Sequence, residues 1–417
     1  MPRTRIRVGT NKAASPGKGT AAPNRTTLHG AGTRSAGKGR SNLSQSSSAS
    51  PQAQQAKTQN QAQGQGQGQG QQHKGWKAAV HRYVKLYNQA EIDRYAPPFE
   101  AIIRDGDHMN RFTQRLDRLR EQELLRGVLP SRSETNAELI RISESGSQSE
   151  VVVLIELRIR RTIDHHGRTY VEERCDRERL WLSAEGDDYI ISRVEPIVLE
   201  RRPRYSLSDA AMAAELMQEQ EASAGSKQQQ SAPFINYDVL PFFKHARAGV
   251  RYRRDLAAAY ADRWWSDPNP SYENFEVNCT NYVSQCIFAG SAPMNYTGKR
   301  DSGWWYRGFS GGRENWSYSW AVSNALKNFL SAPRSSGLRA TVVESADQLA
   351  LGDVITYDWS GDNRFQHSTI VTAFDAAGMP LVNANTVASR HRYWDYQDSY
   401  AWTEQTKYRF FHLADEF

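Results

Sequence analysis

The sequence lacks the features of a disulfide-rich secreted protein and of a membrane-spanning protein. Its 417 residues include three cysteines, an odd and small number that does not fit a disulfide framework. No apolar run approaches the roughly 18 residues of a membrane helix, so no membrane span is expected. The basic N-terminus is followed by no apolar segment, so no secretory signal is expected either. The cellular location stays open between the cytoplasm and export without a signal, including deposition on a spore.

Metal-ligand motifs are missing as well. The sequence contains no HxxxH, no HxxEH and no closely paired cysteines, which are the spacings that bring two ligands to one metal ion. The adjacent His165 and His166 are predicted to be exposed residues at a hairpin tip. We therefore expect neither a metal nor another cofactor.

Acidic residues are absent from residues 1–75, where eleven lysines and arginines are spread among Gly, Ser, Gln and Ala. The whole chain carries a formal charge of +7, so residues 76–417 carry −4. The arm has too little apolar area to offset the entropy of ordering its backbone, and it is predicted to be disordered. Such an arm can bind a polyanion weakly, or it can serve only as a solubilising leader.

Periodic apolar residues begin at Trp76. A helical period predicts helices around Trp76–Tyr87 and Met109–Leu119, and alternating runs between glycine turns predict strands from Ala137 to Leu199. Helices followed by an antiparallel meander make an auxiliary α+β domain, residues 76–201, and its element order resembles the cystatin or nuclear transport factor 2 outline. Residues 202–233 are of low complexity and are predicted to be a linker.

The last region, residues 234–417, is rich in tryptophan and large enough for its own core. Its patterns predict a second α+β domain. The predicted helices are Arg251–Trp265, one that begins at Cys279, and Trp320–Leu330. The predicted strands are Asp353–Tyr357, His367–Phe374, Pro380–Asn385 and Tyr408–His412.

Cys279 is predicted to open a buried helix. The Pro-rich loop 267–270 ends the preceding helix, and Asn278 is a good N-cap residue. A thiol at a helix start faces unpaired N–H groups and the positive end of the helix dipole. Both favour the thiolate, which is the nucleophilic form. Cys286, seven residues further along, is better explained as a buried core residue.

A nucleophilic thiol needs a base, and the base needs a polar group that orients it. The best candidate base is His367, at the mouth of a predicted strand. The next strand supplies Asn383 and Asn385, two residues apart and hence on one face. His391 is a weaker candidate because it lies in the basic, turn-like stretch SRHRYWDY.

Substrate contacts are predicted from the loop aromatics Trp304 and Trp305, which lie between glycines. Aromatic faces stack on sugar rings and line peptide grooves, although large aromatics also fill small cores.

Several stretches carry a specific resemblance. They are AAAYADRWWSDPNPSYENFEVNCTNYVSQCIFAG, GWWYRG, WSYSW, GDVITYDWSGDNRFQHSTIV, MPLVNANT and DYQDSYAWT. From roughly Tyr252 to Phe411 the chain resembles the bacterial putative amidase domain family, which is related to NlpC-type and CHAP amidohydrolases of the papain-like clan. The resemblance implies a papain-like core with Cys279 as nucleophile and His367 as base. The family tends to have AHT where this chain has ANT, so Asn385 stands in place of a histidine, with Asn383 as the alternative third residue.

These observations predict a cysteine-dependent amide or peptide hydrolase. The resemblance implies a peptide or amide substrate derived from the cell wall. Two alternatives stay open from the residues alone. One is a non-catalytic binding or structural module that the basic arm tethers to an anionic polymer. The other is an acyl transferase that uses the same residues.

Overall fold

The computed structural model describes residues 5–7, 11–12, 75–95, 99–144, 150–201, 249–310 and 313–417. Two short strands of the predicted arm are described, β1 (Arg5–Arg7) and β2 (Asn11–Lys12). They depart from the prediction of a disordered arm. The rest of the arm up to residue 74 and the predicted linker 202–233 lie outside the described residues. No helix of the described part is long and apolar enough to cross a membrane.

The described residues between 75 and 201 form two α-helices followed by an antiparallel meander, as the periodicities predicted. Its helices bury apolar faces against one side of the meander, and glycines in the left-handed region (φ 76° at Gly167 and 62° at Gly186) close two of its hairpins. The elements are α1 (Trp76–Asp93), α2 (Gly106–Arg126), β3 (Val128–Glu144), β4 (Glu150–His165), β5 (Arg168–Glu185) and β6 (Asp188–Pro196).

The segment from residue 249 to residue 417 has four α-helices and eight strands among its described residues. The helices are α3 (Arg254–Trp264), α4 (Cys279–Ala289), α5 (Tyr318–Ala321) and α6 (Ser323–Ser331). The strands are β7 (Tyr306–Ser310), β8 (Arg313–Trp316), β9 (Ala340–Val343), β10 (Val354–Asp358), β11 (His367–Phe374), β12 (Pro380–Ala384), β13 (Ser389–Tyr393) and β14 (Lys407–Leu413). Helices with a mostly antiparallel sheet confirm the α+β class.

Strands of both segments form one sheet. Its order is β1-β3-β4-β5-β13-β12-β11-β10-β14-β9, with β2 also on β3 and β6 also on β5. β1 and β2 pair with β3, where they cover hydrogen-bonding groups that an edge strand would leave open. β13 was predicted to be a basic turn, yet it is the strand that joins the two segments, with Ser389 opposite Arg174 and Arg390 opposite Glu173. Its polar sequence lacks a clear alternation, so only the neighbouring strands make it a strand.

The two faces of β10–β12 are covered by different partners. On one face, here called the helix face, Val354 and Ile370 pack with Tyr282, Val283 and other residues of α4. The opposite face is called the aromatic face. There Tyr357 and Val371 pack with aromatic residues from outside the strands, including Trp359 and Tyr396. Which face a side chain occupies therefore decides whether it can meet the start of α4.

A cluster of buried charges lies where the two segments meet. Glu91 of α1 is fully buried and forms ion pairs with four arginines, Arg94, Arg115, Arg161 and Arg174. Asp398, which follows β13, pairs with Arg174 and Arg392. Burial raises the pKa of a carboxyl group, but the surrounding guanidinium groups hold the pKa of Glu91 well below its usual range. The two segments therefore share part of one interior.

Candidate functional site

Cys279 is the first residue of α4, as predicted, and its residue surface is 2% exposed. Asn278 is the N-cap residue, but its side chain does not cap the helix. Its Oδ1 instead accepts a hydrogen bond from Nδ2 of Asn281 at 2.8 Å. The hydroxyl oxygen of Thr386, in the turn after β12, accepts the backbone N–H groups of Asn278 at 3.1 Å and Cys279 at 2.8 Å. The helix is therefore capped by a residue that is distant in sequence.

Asn385 lies beside this cap. Its Oδ1 accepts a hydrogen bond from Nδ2 of Asn278 at 2.6 Å, and its Nδ2 donates to the carbonyl oxygens of Trp264 at 3.1 Å and Trp265 at 2.7 Å. Asn385 thus ties the end of α3 to the start of α4. The amide uses its donors and its acceptor in these bonds, and none of them goes to His367.

The thiol of Cys279 lies among polar groups near the start of β11. Its Sγ is 3.8 Å from Oγ1 of Thr280 and 4.0 Å from the carbonyl oxygen of Gln366. Thr280 Oγ1 is in turn 3.1 Å from Oγ of Ser368. A sulfur packed only as a hydrophobic group would not need such neighbours, so the local chemistry is that of a polar site.

The imidazole of His367 points away from this site. It lies on the aromatic face, with ring-centre distances of 5.5 Å to Tyr357, 5.8 Å to Trp359 and 5.3 Å to Tyr396. Burial, with a smaller effect from the charge of Arg392, lowers the pKa of His367 to about 3. Neither ring nitrogen has a hydrogen-bond partner among the residues that the structure describes. The structure does not bring the predicted thiol and imidazole into contact, although the two residues approach the same end of β11.

A second histidine lies on the helix face. Nε2 of His391 is 3.2 Å from Oδ1 of Asp262 in α3. The backbone N–H of His391 donates to Oδ1 of Asn383 at 2.8 Å. Asn383 also donates to Asp262 at 2.9 Å. Burial raises the pKa of Asp262, but hydrogen bonds from His391, Arg390 and Asn383 outweigh that effect and hold it well below its usual range.

The predicted substrate residues Trp304 and Trp305 lie in the interior. Their exposed fractions are 0% and 2%. The indole N–H of Trp304 donates to Oγ of Ser284 on α4 at 3.0 Å, and that of Trp305 donates to the carbonyl oxygen of Ser302 at 2.9 Å. The structure therefore places both rings in the core rather than along a substrate groove, because this small domain fills its interior with large aromatics.

Of the two adjacent histidines predicted at a hairpin tip, His166 is exposed as predicted and His165 is not. His165 was expected to be an exposed turn residue, but it is buried at the end of β4, and its Nδ1 accepts the backbone N–H of Ala376 at 3.2 Å.

Within the described residues, no group of three or more His, Cys, Asp and Glu side chains is arranged to hold a metal ion.

Sequence reasoning missed Thr386 and Asp262. Thr386 directly follows the Asn383–Asn385 pair that was identified, so the motif NANT contained its signal. Asp262 had no local signal, because its partners come from β12 and β13 and meet it only in the fold.

Comparison with known proteins supports the resemblance of the C-terminal segment to an amidase family. Residues 251–411 match the family described as "putative amidase domain", which indicates an amidase-type hydrolase. A Bacillus subtilis (strain 168) protein described as "uncharacterized protein YhbB" is 50% identical over 166 residues. That match covers 40% of this chain and 51% of the relative, so the chain spans about half of the relative's length.

A solved structure is also similar to part of the chain. The crystal structure of the intermembrane space region of chloroplast protein ARC6 is 12% identical, and the similarity covers 28% of this chain and 91% of that one. The TM-score is 0.21, so this similarity carries no argument about the fold.

Proposed function

We propose that residues 249–417 form a cysteine-dependent amide hydrolase in which Cys279 is the nucleophile. The observation that carries the proposal is the place of this thiol, at the start of α4 inside the segment that matches the amidase family. Polar groups of Thr280 and Gln366 surround the sulfur.

In the proposed reaction, Sγ of Cys279 attacks the carbonyl carbon of an amide. A base takes the thiol proton and returns it to the leaving amine, and water then cleaves the thioester. The substrate class that the resemblance implies is a peptide or amide, including cell-wall peptides. The papain-like relationship and the role of His367 as the base belong to this proposal. Asn385 would orient His367 only after its amide exchanges its bonds to Asn278, Trp264 and Trp265.

His367 is the proposed base. Its two nitrogens are buried without partners among the described residues, an arrangement that costs free energy and that a catalytic role would explain. Its ring must leave the aromatic face to reach Cys279. His367 is the first residue of β11, so this movement has to open the terminal pair with Tyr357 and the hydrogen bond that Ser323 Oγ donates to the His367 carbonyl oxygen. His391 is the competing base, since it already lies on the helix face beside Asp262.

One structural observation favours the non-catalytic alternative. Cys279 is almost fully buried, so an amide reaches the sulfur only if the surrounding loops open. If the thiol never reacts, the domain would serve only as a binding module.

Labelling with a thiol-directed electrophile separates these alternatives, and peptide mass spectrometry identifies the labelled cysteine. Cys279→Ala should abolish labelling at position 279 and amide hydrolysis. The matched control Cys286→Ala, on the same helix, should preserve both. A Cys279 that stays unlabelled in the folded wild type, or hydrolysis that survives Cys279→Ala, would overturn the proposal.

The base is identified by two further variants. His367→Phe fits the aromatic surroundings of the ring, and His391→Gln keeps a donor for Asp262. We expect hydrolysis to be lost in the first and retained in the second. The reverse result would assign the base to His391.

A further inference from the structure

Arg390 connects the two segments of the chain at the sheet and through its side chain. In β13 it lies opposite Glu173 of β5, and its Nη1 is 3.3 Å from Oε2 of Glu173. Its Nε donates to Oδ1 of Asp262 in α3 at 3.0 Å. One guanidinium group therefore bridges a carboxylate of the 75–201 segment and a carboxylate of the amidase-like segment.

Asp262 is held from several sides. It receives hydrogen bonds from Arg390 and from Asn383 of β12, and it pairs with His391 of β13. These partners fix the last turn of α3 against the strands. Without Arg390, Asp262 would keep only a neutral amide and a histidine to offset the cost of its partial burial.

The end of α3 leads directly to the start of α4. The carbonyl oxygens of Trp264 and Trp265, two and three residues after Asp262, accept hydrogen bonds from Asn385. Asn385 accepts a bond from Asn278, and the next residue, Thr386, caps Cys279. A continuous series of hydrogen bonds and covalent links thus runs from Glu173 to the amide of Cys279.

We propose that Arg390 is a positioning residue through which the 75–201 segment fixes the Asn385–Thr386 turn that caps Cys279. The role in catalysis rests on the proposed function of Cys279, but the mechanical coupling does not. The 75–201 segment then contributes to the geometry of the site at Cys279 and is not an independent domain. Its contribution passes through a charged bridge whose two carboxylates come from different segments.

Site-resolved hydrogen exchange of the full chain tests this coupling without a substrate. The variants are Glu173→Gln, Arg390→Gln, the double variant, and Arg390→Lys, which keeps the positive charge. Arg177→Gln is the matched control, because Arg177 is also on β5 but pairs with Glu156. The readout is the exchange rate of the Cys279 amide compared with amides in the middle of α4, with the melting temperature measured in parallel.

We expect Glu173→Gln and Arg390→Gln to accelerate exchange at Cys279 by about three- to tenfold, with the middle of α4 unchanged. The double variant should resemble Arg390→Gln rather than the product of both effects, and Arg390→Lys should restore part of the protection. Arg177→Gln should match the wild type. Glu173→Gln leaves the Arg390–Asp262 pair in place, so it remains informative even if Arg390→Gln unfolds.

Three results would overturn the proposal. They are unchanged exchange at Cys279 in Glu173→Gln, equal acceleration throughout α4, and fully multiplicative effects in the double variant. Hydrolysis is measured separately on the same proteins. Coupling seen by exchange in a protein without hydrolysis would reject the proposed function and keep the positioning role. Hydrolysis with no coupling would do the opposite.

Discussion

The hydroxyl oxygen of Thr386 accepts the backbone N–H of Cys279 at 2.8 Å, across 107 residues of sequence. This bond uses the amide that a helix-start nucleophile could otherwise offer to an oxyanion. Closing the site around a substrate would therefore require Thr386 to release or share that N–H. The same hydroxyl also accepts the N–H of Asn278, so one side chain satisfies two of the unpaired donors of α4.

Removing the Thr386 hydroxyl should loosen the start of α4. Thr386→Val keeps the shape of the side chain and leaves two N–H groups without an acceptor. We expect the free energy of unfolding to fall by about 1 kcal/mol, measured by urea denaturation. Thr386→Ser keeps the hydroxyl and serves as the control. If Thr386→Val is as stable as the wild type, the cap contributes nothing to the free energy of unfolding.

His367 should be dispensable for stability. His367→Phe fills the same aromatic surroundings and removes two buried nitrogens that have no partner in the described part of the chain. We expect the variant to be as stable as the wild type or more stable, while hydrolysis is lost. A large loss of stability would indicate that His367 is a structural residue.

The stability of His367→Phe should also depend on pH differently from that of the wild type. The pKa of His367 is about 3 in the folded chain and 6.5 ordinarily, so below pH 6.5 the unfolded chain binds a proton that the folded chain does not. The wild type therefore loses stability as pH falls towards 3. The advantage of His367→Phe should grow by about 1.4 kcal/mol per pH unit in this window. A constant difference in the free energy of unfolding between the two proteins from pH 7 to pH 4 would contradict this prediction.

Glu91 should be the most sensitive acidic residue of the shared interior. Glu91→Gln removes the negative charge that four buried arginines share. We expect a loss of about 3–5 kcal/mol in the free energy of unfolding, because the arginines would stay buried without compensation. Glu195→Gln, in the exposed pair with Arg179, should change it by less than about 1 kcal/mol. Similar effects of the two substitutions would contradict the role of the cluster.

Asn385 should not tolerate a negative charge. In Asn385→Asp the new carboxylate would face the carbonyl oxygens of Trp264 and Trp265, to which the amide now donates. We expect a loss of about 1–3 kcal/mol at neutral pH, measured by denaturation. Asn328→Asp, at an exposed position of α6, is the control and should be nearly neutral. Recovery of Asn385→Asp stability at acidic pH would support the electrostatic reason.

Local patterns located most elements of the fold. Apolar periods predicted α1, α2, α4 and the long strands of the meander, because those side chains are buried on one face whatever their tertiary partners are. The predicted helix Trp320–Leu330 is instead two helices, which break at Val322 (φ −120°, ψ 123°). The apolar period of the sequence does not reveal a helix break of one residue.

The candidate site was only partly accessible from the sequence. Cys279 could be placed at a helix start because Asn278 and the apolar face of α4 are local signals. The direction of the His367 ring could not be predicted. A strand alternates sides at every residue, and a one-residue difference in register moves the imidazole from the helix face to the aromatic face.

The sequence by itself determined the two α+β segments, the element that presents Cys279 and the similarity to an amidase family, because each depends on neighbouring residues along the chain. Only the tertiary structure decided that β13 joins both segments into one sheet, that Thr386 caps Cys279 and that His367 faces the opposite side. These relationships depend on which strands pair and in what register. For β13 and Thr386 that choice is made by burial and hydrogen bonding between residues more than a hundred positions apart, whereas His367 pairs with Tyr357 on the neighbouring strand.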